Sequence, residues 1–337
     1  MSKEINGFPQ TAKTTSRVRE LLAGLCFLAA IVLFIALFSA LLMPKREDGG
    51  SNWGAFLLEK KNSLDIMFFG SSLVYCDVVP AVIYEASACT SYIMAGPEQT
   101  LPMTYYYLKE AYRTQNPALV FVEISGVFFP QYTDYAKVNI GYMPWSINRL
   151  AATFMAADSK EWMGLLFPLY DYHELWKQMS LDNLLYSVDY LAGYSPLTEI
   201  DKWAILVERK VDFNRDVFEQ NIACIKTIAQ LCANKGSQVI FYITPSYYPW
   251  QSDYMLMLEE ELASIPNIEY IDFNKRFAEL NIDDTVDFFD LLHFNVFGAQ
   301  KFSSFLSNTI QSRTIGNRDA DRNLWNERVL FFARHYK

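Results

Sequence analysis

Two short stretches of the sequence carry side chains that could act together in nucleophilic catalysis. The first is FFGSSLVY, residues 68–75, in which two serines follow the glycine that ends an apolar run. The second is DLLHFNVFG, residues 290–298, which holds one of only three histidines in the chain, three residues after an aspartate. A serine hydroxyl is a weak nucleophile until an imidazole takes its proton, and a third group must orient that imidazole. Together the stretches indicate a serine-dependent reaction.

Each stretch, taken alone, allows two interpretations. A serine between a strand and a helix can attack a carbonyl while the N–H groups of the helix hold the oxyanion. Alternatively, Ser71 or Ser72 is simply the N-cap that helix starts prefer. In the second stretch, Asp290 can accept from one ring nitrogen of His293 and leave the other free as a base. The alternative is a surface aspartate–histidine pair before a helix capped by Asn295.

These groups need a sheet to position them, and the sequence predicts one. Apolar runs indicate buried strands at 64–70, 90–96, 118–125, 237–244 and 268–274. Helical patterns lie at 78–88, 100–115, 217–236, 252–265, from the second stretch to about 311, and at 324–336. We therefore predict an α/β fold with a doubly wound, mostly parallel five-stranded sheet of flavodoxin-like type. Reactive groups in such sheets gather at the carboxyl ends of the strands.

An apolar segment before the first strand is long enough to cross a bilayer. Residues 21–43 contain no charged side chain, and about 20 apolar residues span the hydrocarbon core. Phe38 fits badly at the −3 position of a cleavage site after Ala40, so we interpret the segment as an uncleaved transmembrane anchor. Residues 1–20 hold four basic and two acidic side chains, which favours a cytoplasmic N-terminus and an extracytoplasmic catalytic domain at the cell membrane.

The rest of the chain divides around the sheet. We expect a cytoplasmic tail at 1–20, a linker at 44–63, a catalytic domain at 64–126 and 214–312, a helical insertion or lid at 127–213, and a C-terminal helical tail at 313–337. Aromatic residues of the insertion could stack on sugars, lie at the membrane interface, or form the core of a helical subdomain. They are Tyr132, Tyr135, Tyr142, Trp145, Trp162, Tyr170, Tyr172 and Trp176.

Composition argues against several other classes of protein. The net charge is −9, and no run of Lys and Arg alternates with aromatics as a nucleic-acid groove requires. The five cysteines show no CxxC or Cys/His spacing, so we expect no metal, no cofactor and no obligatory disulfide. His173 could face a substrate or be a packed structural residue, and His335 lies at the extreme C-terminus. His293 is therefore the preferred base.

The two stretches together resemble the SGNH (GDSL-like) hydrolase family. In that family a Gly-Asp-Ser block follows the first strand, and a C-terminal Asp-x-x-His block, often continued by x-Asn-x-x-Gly, supplies the base. Here the blocks are Gly70-Ser71-Ser72 and Asp290-x-x-His293-x-Asn295-x-x-Gly298. The resemblance implies that Ser72 is the nucleophile and that Ser71 replaces the usual aspartate. This Gly-Ser-Ser variant looks like that of membrane-anchored relatives that serve polysaccharide O-acetylation and teichoic-acid D-alanylation.

The resemblance also implies an oxyanion hole. Gly96, at the end of the second predicted strand, matches the glycine whose N–H helps to hold the oxyanion. The third block of the family carries an asparagine after strand three, where this chain has Glu123 and Ser125, and Ser125 is the candidate in its place. Because losing one oxyanion donor costs about 10²–10³ in rate, either a substitute donor is present or the acceptor chemistry differs.

We therefore predict an extracytoplasmic, membrane-anchored serine acyl-transfer enzyme that O-acetylates a cell-envelope or exported polysaccharide through Ser72, His293 and Asp290. The resemblance further implies a multi-span membrane acyltransferase as a partner. One alternative is a carbohydrate esterase or deacetylase of the same fold. Another is a non-catalytic polysaccharide-binding or scaffold protein of an export complex, which the two departures from the family favour and the intact Asp-x-x-His block opposes.

Overall fold

The fold comes from a computed structural model that describes residues 10–43, 53–131, 134–200, 213–313, 315 and 318–337. The predicted tail up to residue 9, the linker at 44–52, Tyr132 and residues 201–212 of the insertion lie outside these residues. The described chain forms two compact units. One comprises 10–43 and 167–185, and the other comprises 53–166 and 186–337 with the gaps just given.

Strands and helices alternate through most of the described chain. The strands are β1 Ile66–Gly70, β2 Ser91–Ala95, β3 Leu119–Glu123, β4 Gln238–Ile243 and β5 Glu269–Asp272. The helices are α1 Gln10–Leu42, α2 Trp53–Phe56, α3 Ser72–Tyr75, α4 Pro80–Ser87, α5 Leu101–Ala111, α6 Ala136–Ile140, α7 Ile147–Met155, α8 Trp162–Leu166, α9 Leu169–Tyr172, α10 Arg215–Lys235, α11 Ser252–Ala263, α12 Val296–Gln311 and α13 Arg322–Tyr336. Short 3₁₀ segments lie at Ser125–Phe128, Ser159–Glu161, His173–Gln178, Leu181–Leu184 and Phe273–Leu280.

All five strands of the second unit pair in parallel, in the order β2-β1-β3-β4-β5. This is the flavodoxin-like order, so the predicted fold class is confirmed. The winding reverses between β1 and β3, and the carboxyl ends of those two strands therefore flank a crevice. The register pairs Phe69 with Val122, which brings the serine stretch beside the third predicted block.

Both faces of the sheet are buried. From β1, Met67 and Phe69 join one hydrophobic cluster, while Ile66 and Phe68 join another. Side chains of α5 and α10 complete the first cluster, and side chains of α4 and α12 complete the second. Because β1, β2 and β3 are buried along both faces, these strands read as continuous apolar runs rather than as alternating patterns.

Residues assigned above to a linker and to a tail pack into the core. Trp53 and Phe56 of α2 are at most 2% exposed, and the Trp53 ring meets Tyr107 edge-on with centroids 5.0 Å apart. On α13, Trp325 and Phe332 are each 1% exposed. In both helices, apolar residues one or two turns apart form a face that packs against the rest of the unit that contains the sheet.

A buried ion pair joins α13 to the chain just after α2. The Arg328 side chain is fully buried, and its guanidinium donates to both carboxylate oxygens of Glu59, which is 5% exposed. Its Nε also donates to the carbonyl of Asp189 at 3.1 Å, and its Cζ lies 4.5 Å from the ring centroid of Trp325. Removing one partner would leave the other charge buried without compensation.

The first unit contains a helix long and apolar enough to cross a membrane. Within α1, residues 17–42 reach a mean hydropathy of 3.0 over an 18-residue window whose side chains are not buried. At about 1.5 Å per residue the stretch measures roughly 39 Å, which exceeds the ~30 Å hydrocarbon core. The predicted anchor at 21–43 thus falls in a helix of suitable length, which ends at Leu42. That this helix crosses a membrane, and in which orientation, stays a prediction.

We predict that Arg328→Ala lowers the free energy of unfolding by about 3–5 kcal/mol, because the Glu59 carboxylate stays buried without its partner. The measurement is urea unfolding of the detergent-solubilised full chain, followed by tryptophan fluorescence. Arg215→Ala is the matched control, since Arg215 pairs with Glu219 on an exposed helix surface and such pairs contribute little. Equal unfolding midpoints for the two variants would contradict the prediction.

Candidate active site

Close packing at the end of β1 places the serine stretch at the crevice. Gly70 has φ +148°, and a Cβ there would lie 2.8 Å from the Cβ of Glu123 and 2.8 Å from a methyl group of Val74. Only glycine fits so close to the neighbouring strand and to the helix that follows. The chain therefore turns directly from β1 into α3 beside the end of β3.

The two serines have different roles in this turn. Ser71 is the N-cap of α3, and its side chain accepts from the N–H of Leu73 at 3.4 Å. Ser72 is the first residue of the helix and is partly exposed. The capping function left open by the sequence thus falls to Ser71, and the hydroxyl of Ser72 is left for another contact.

The aspartate–histidine stretch is a tight turn held by its own carboxylate. Oδ1 of Asp290 accepts from the backbone N–H of Leu292 at 2.7 Å and from that of His293 at 2.8 Å. The N–H of Phe289 donates to the carbonyl of His293 at 3.0 Å. These bonds fix the backbone on both sides of the imidazole.

Asn295 joins this turn to α12. Its Oδ1 accepts from the N–H groups of Phe297 and Gly298, so the predicted N-cap is confirmed. Its Nδ2 donates to the carbonyl of Val286 at 2.6 Å. A Cβ on Gly298 would lie 2.2 Å from the carbonyl oxygen of Asp287, which is the steric reason for glycine at the end of the motif.

The fold brings Ser72, His293 and Asp290 into one chain of contacts. Nε2 of His293 lies 2.7 Å from Oγ of Ser72, and Nδ1 lies 2.9 Å and 3.0 Å from the two carboxylate oxygens of Asp290. With Nδ1 protonated toward the carboxylate, Nε2 is free to take the serine proton. This is the geometry of a nucleophile, a base and the group that orients the base.

The charge state of Asp290 suits that arrangement. Burial acts to raise the pKa of its carboxyl, but the bond to the His293 ring and the two backbone N–H groups hold that pKa below its ordinary value. The carboxylate therefore remains ionised at neutral pH. An ionised partner stabilises the imidazolium that forms when His293 takes a proton.

The predicted oxyanion donors are engaged with the protein itself. The N–H of Gly96 donates to the carbonyl of Gly70 at 3.3 Å, and the N–H of Ser125 donates to Oε1 of Glu123 at 2.7 Å. Among the described residues, no hydrogen bond joins Ser125 to Ser72 or His293. The N–H of Ser72 lies in the first turn of α3, where amides have no partner within the helix.

Asp77 is a residue of the site that the sequence analysis missed. It is fully buried, and its Oδ1 accepts from the N–H of Phe294 at 3.0 Å. Nearby, the N–H of Val79 donates to Oγ of Ser303 on α12 at 2.7 Å. These bonds connect the segment after the serine to the segment after the histidine. The available signal was a lone acidic residue inside the apolar run VYCDVVPAV.

The surroundings of Asp77 favour its protonated form. Burial raises the pKa of this carboxyl well above its ordinary value, and the negative charges of Asp290 and Glu123 act in the same direction. The N–H of Phe294 lowers the pKa only in part. The site thus combines a carboxyl of raised pKa with one of lowered pKa.

The other candidates do not join these contacts. The ring of His173 is exposed and its Nδ1 contacts the carbonyl of Tyr170 at 2.9 Å, within its own unit. Nδ1 of His335 contacts the carbonyl of Phe331 at 2.7 Å. Across the described ranges, no cluster of three or more His, Cys, Asp or Glu side chains could hold a metal ion. All five cysteines are free thiols.

Comparison with known proteins gave matches to solved structures alone. No family model and no curated protein matches the chain. It is similar to a protein described as lipolytic, of the G-D-S-L family, from Desulfitobacterium hafniense DCB-2, with 12% identity over 73% of this chain and 99% of that one and a TM-score of 0.37. It is also similar to a mutant of Axe2, an acetyl-xylooligosaccharide esterase from Geobacillus Stearmophilus, with 12% identity over 77% of this chain and 100% of that one and a TM-score of 0.33. At this identity and these TM-scores the two similarities carry no argument. The fold assignment therefore rests on the strand order, and the proposed chemistry rests on the contacts of Ser72, His293 and Asp290.

We predict that Asp77→Ala is more harmful than Asp77→Asn, because alanine leaves the buried N–H of Phe294 without an acceptor, at a cost of about 1–3 kcal/mol. Asparagine keeps that acceptor and cannot ionise. The raised pKa of Asp77 means that its stabilising contribution is complete below the unfolded pKa of about 4 and declines as pH rises toward the folded pKa. Asp77→Asn should therefore gain stability relative to the parent as pH rises from 4.

Thermal unfolding of the detergent-solubilised parent and both variants between pH 4 and 8 measures these differences. A parent and an Asp77→Asn variant whose melting curves shift in parallel with pH would rule out a buried, protonated Asp77. An Asp77→Ala variant as stable as Asp77→Asn would show that the bond to Phe294 contributes nothing.

Proposed function

We propose that this protein is a membrane-anchored serine acyl-transfer enzyme of SGNH type that O-acetylates a cell-envelope or exported polysaccharide. The observation that carries the proposal is the contact of His293 with Ser72 on one side, at 2.7 Å, and with Asp290 on the other. A surface aspartate–histidine pair would not need a serine hydroxyl at the free ring nitrogen. The hydroxyl also lies at the switch point of a parallel sheet, where ligands of such folds bind.

In the first half-reaction, Oγ of Ser72 attacks the acyl carbonyl carbon while Nε2 of His293 takes the hydroxyl proton. The carbonyl oxygen becomes a tetrahedral oxyanion beside the N–H of Ser72, and the ionised Asp290 stabilises the imidazolium. The N–H of Gly96 can contribute if substrate displaces the carbonyl of Gly70. Collapse of the intermediate breaks the bond to the leaving oxygen, which takes the proton from His293, and leaves an acyl ester on Ser72.

In the second half-reaction, His293 takes the proton of an acceptor hydroxyl, which attacks the same ester carbonyl. The Oγ of Ser72 then leaves and regains a proton from the imidazolium. A sugar hydroxyl as acceptor gives O-acetylation, and water gives ester hydrolysis. The helix α1, long enough to span a bilayer, supports work on a polymer at the membrane, and the resemblance supports a multi-span acyltransferase as the acyl donor.

A second candidate is a non-catalytic protein that binds an envelope polysaccharide or scaffolds an export complex. Two predicted oxyanion donors support this candidate, because the N–H groups of Gly96 and Ser125 already donate to acceptors within the protein. A site without available donors would lose most of its electrostatic stabilisation of the transition state. Covalent labelling of the serine separates the two candidates.

We predict that a fluorophosphonate probe labels the full chain at Ser72, because the adjacent imidazole activates the hydroxyl. Ser72→Ala should abolish labelling, whereas Ser71→Ala should retain it, since Ser71 only caps α3. In-gel fluorescence and peptide mass spectrometry give the extent and the position of labelling.

Asp290→Asn adds a test of the orienting carboxylate. Its labelling rate should fall by about two to four orders of magnitude, because the imidazole loses its fixed tautomer. A parent that never labels would favour the non-catalytic candidate, and a Ser72→Ala variant that labels as fast as the parent would reject the assigned nucleophile.

We also predict that the acetyl group leaves the enzyme on a sugar. The full chain would be given p-nitrophenyl acetate with oligosaccharides of β-linked glucose or of N-acetylglucosamine, and the products would be identified by mass spectrometry. Acetylated oligosaccharide, absent with Ser72→Ala, is the expected result. Free acetate as the sole product at every oligosaccharide concentration would instead make the protein an esterase.

A further inference from the structure

The unit that contains α1 also contains residues 167–185, and these pack on the end of the helix. The contacts of α1 within this unit are with α9 and with the 3₁₀ segments at His173–Gln178 and Leu181–Leu184. Side chains of α1 are exposed from residue 17 through Phe34, and covering begins only at Ile35. Ser39 and Leu42 are the buried positions, at 6% and 3% exposure. The segment 167–185 therefore lies against the last two turns of α1.

Those turns lie at a defined depth if α1 crosses a bilayer. Counted from Leu21, the first residue after Glu20, about 20 residues cross the hydrocarbon core and end near Ala40. Ser39 is then at the edge of the hydrocarbon core, and Leu42 lies just beyond it at the membrane interface. A segment packed on them is at that level as well.

The surface of the segment is unusually apolar for that of a water-soluble region. Trp176 is 62% exposed and Leu181 is 74% exposed. The segment's other large apolar side chains on the surface are Phe167, Tyr170, Met179, Leu184 and Leu185. Aromatic side chains with polar edges, together with leucine and phenylalanine, are the composition that settles at the membrane–water interface.

We infer that residues 167–185 form a second membrane contact, lying in the interfacial zone of the lipid bilayer beside the end of the anchor. The inference rests on the proposed membrane anchor. The segment contains three carboxylates and one lysine, so burial of apolar side chains drives the contact rather than attraction to anionic lipids. For Tyr170, Tyr172 and Trp176 the membrane-interface interpretation is preferred, because their segment packs on α1, which a sugar-binding surface would not require.

Spin labels on single cysteines in the full chain test the inference, in a Cys26→Ser background because the other native thiols are buried or partly buried. The chain is reconstituted into phosphatidylcholine vesicles, and the accessibility of each label to oxygen and to a water-soluble nickel chelate is measured. Leu181→Cys should favour oxygen over nickel, at shallow depth. Leu256→Cys, an equally apolar exposed position on α11, should show the opposite, and Leu28→Cys on α1 should show the deepest lipid signal.

The three positions distinguish the failure of this inference from failure of the anchor. An aqueous signal at Leu181 with a lipid signal at Leu28 would overturn the second contact alone. An aqueous signal at Leu28 would reject the anchor on which it rests. A label at Leu181 that neither probe reaches would mean that protein covers this surface, which also overturns the inference. The lipid signal at Leu181 should persist at high salt and without anionic lipid.

Discussion

The hydrogen bond between the His293 imidazole and the Ser72 hydroxyl is the interaction on which the proposed chemistry depends, and it joins residues 221 positions apart. No local preference can create it. It exists because α12, which follows the histidine, packs on α4, which follows the serine-bearing helix, and because the N–H of Phe294 donates to Asp77. The glycine at the end of β1 then allows the serine-bearing helix to begin close against the neighbouring strand.

Two carboxyl groups of this site, one partly exposed and one fully buried, differ in protonation state. Asp290, which accepts from the imidazole and from backbone amides, has a lowered pKa and stays ionised. Asp77, surrounded by apolar atoms and by other negative charges, has a raised pKa and favours its neutral form. The first carboxyl can stabilise a developing imidazolium, and the second can join two chain segments without adding a charge. Divergent pKa values of neighbouring acids are a feature of sites that move protons.

Aromatic residues lie in opposite environments in the two units. Trp53 and Tyr107 meet edge-on inside the sheet domain, where they fill the core. Trp176 and Tyr170 are exposed on the segment packed on the end of α1. Composition treats these residues alike, because an aromatic ring can lower its free energy by leaving water for either a protein core or a lipid interface.

The sequence by itself determined features that depend on a few neighbouring residues. Apolar runs predicted all five strands, and the cap at Asn295 and the Asp290–His293 turn follow from side chains within five positions of one another. Tertiary structure decided which serine caps α3 and which meets the imidazole. It also decided that Trp53 belongs to the core and that Asp77 accepts from Phe294, 217 residues away. Periodicity shows which face of a local element is apolar. Contacts between distant residues, such as Asp77 with Phe294, depend instead on the order in which the crossovers place the strands, and a hydrophobic pattern does not encode that order.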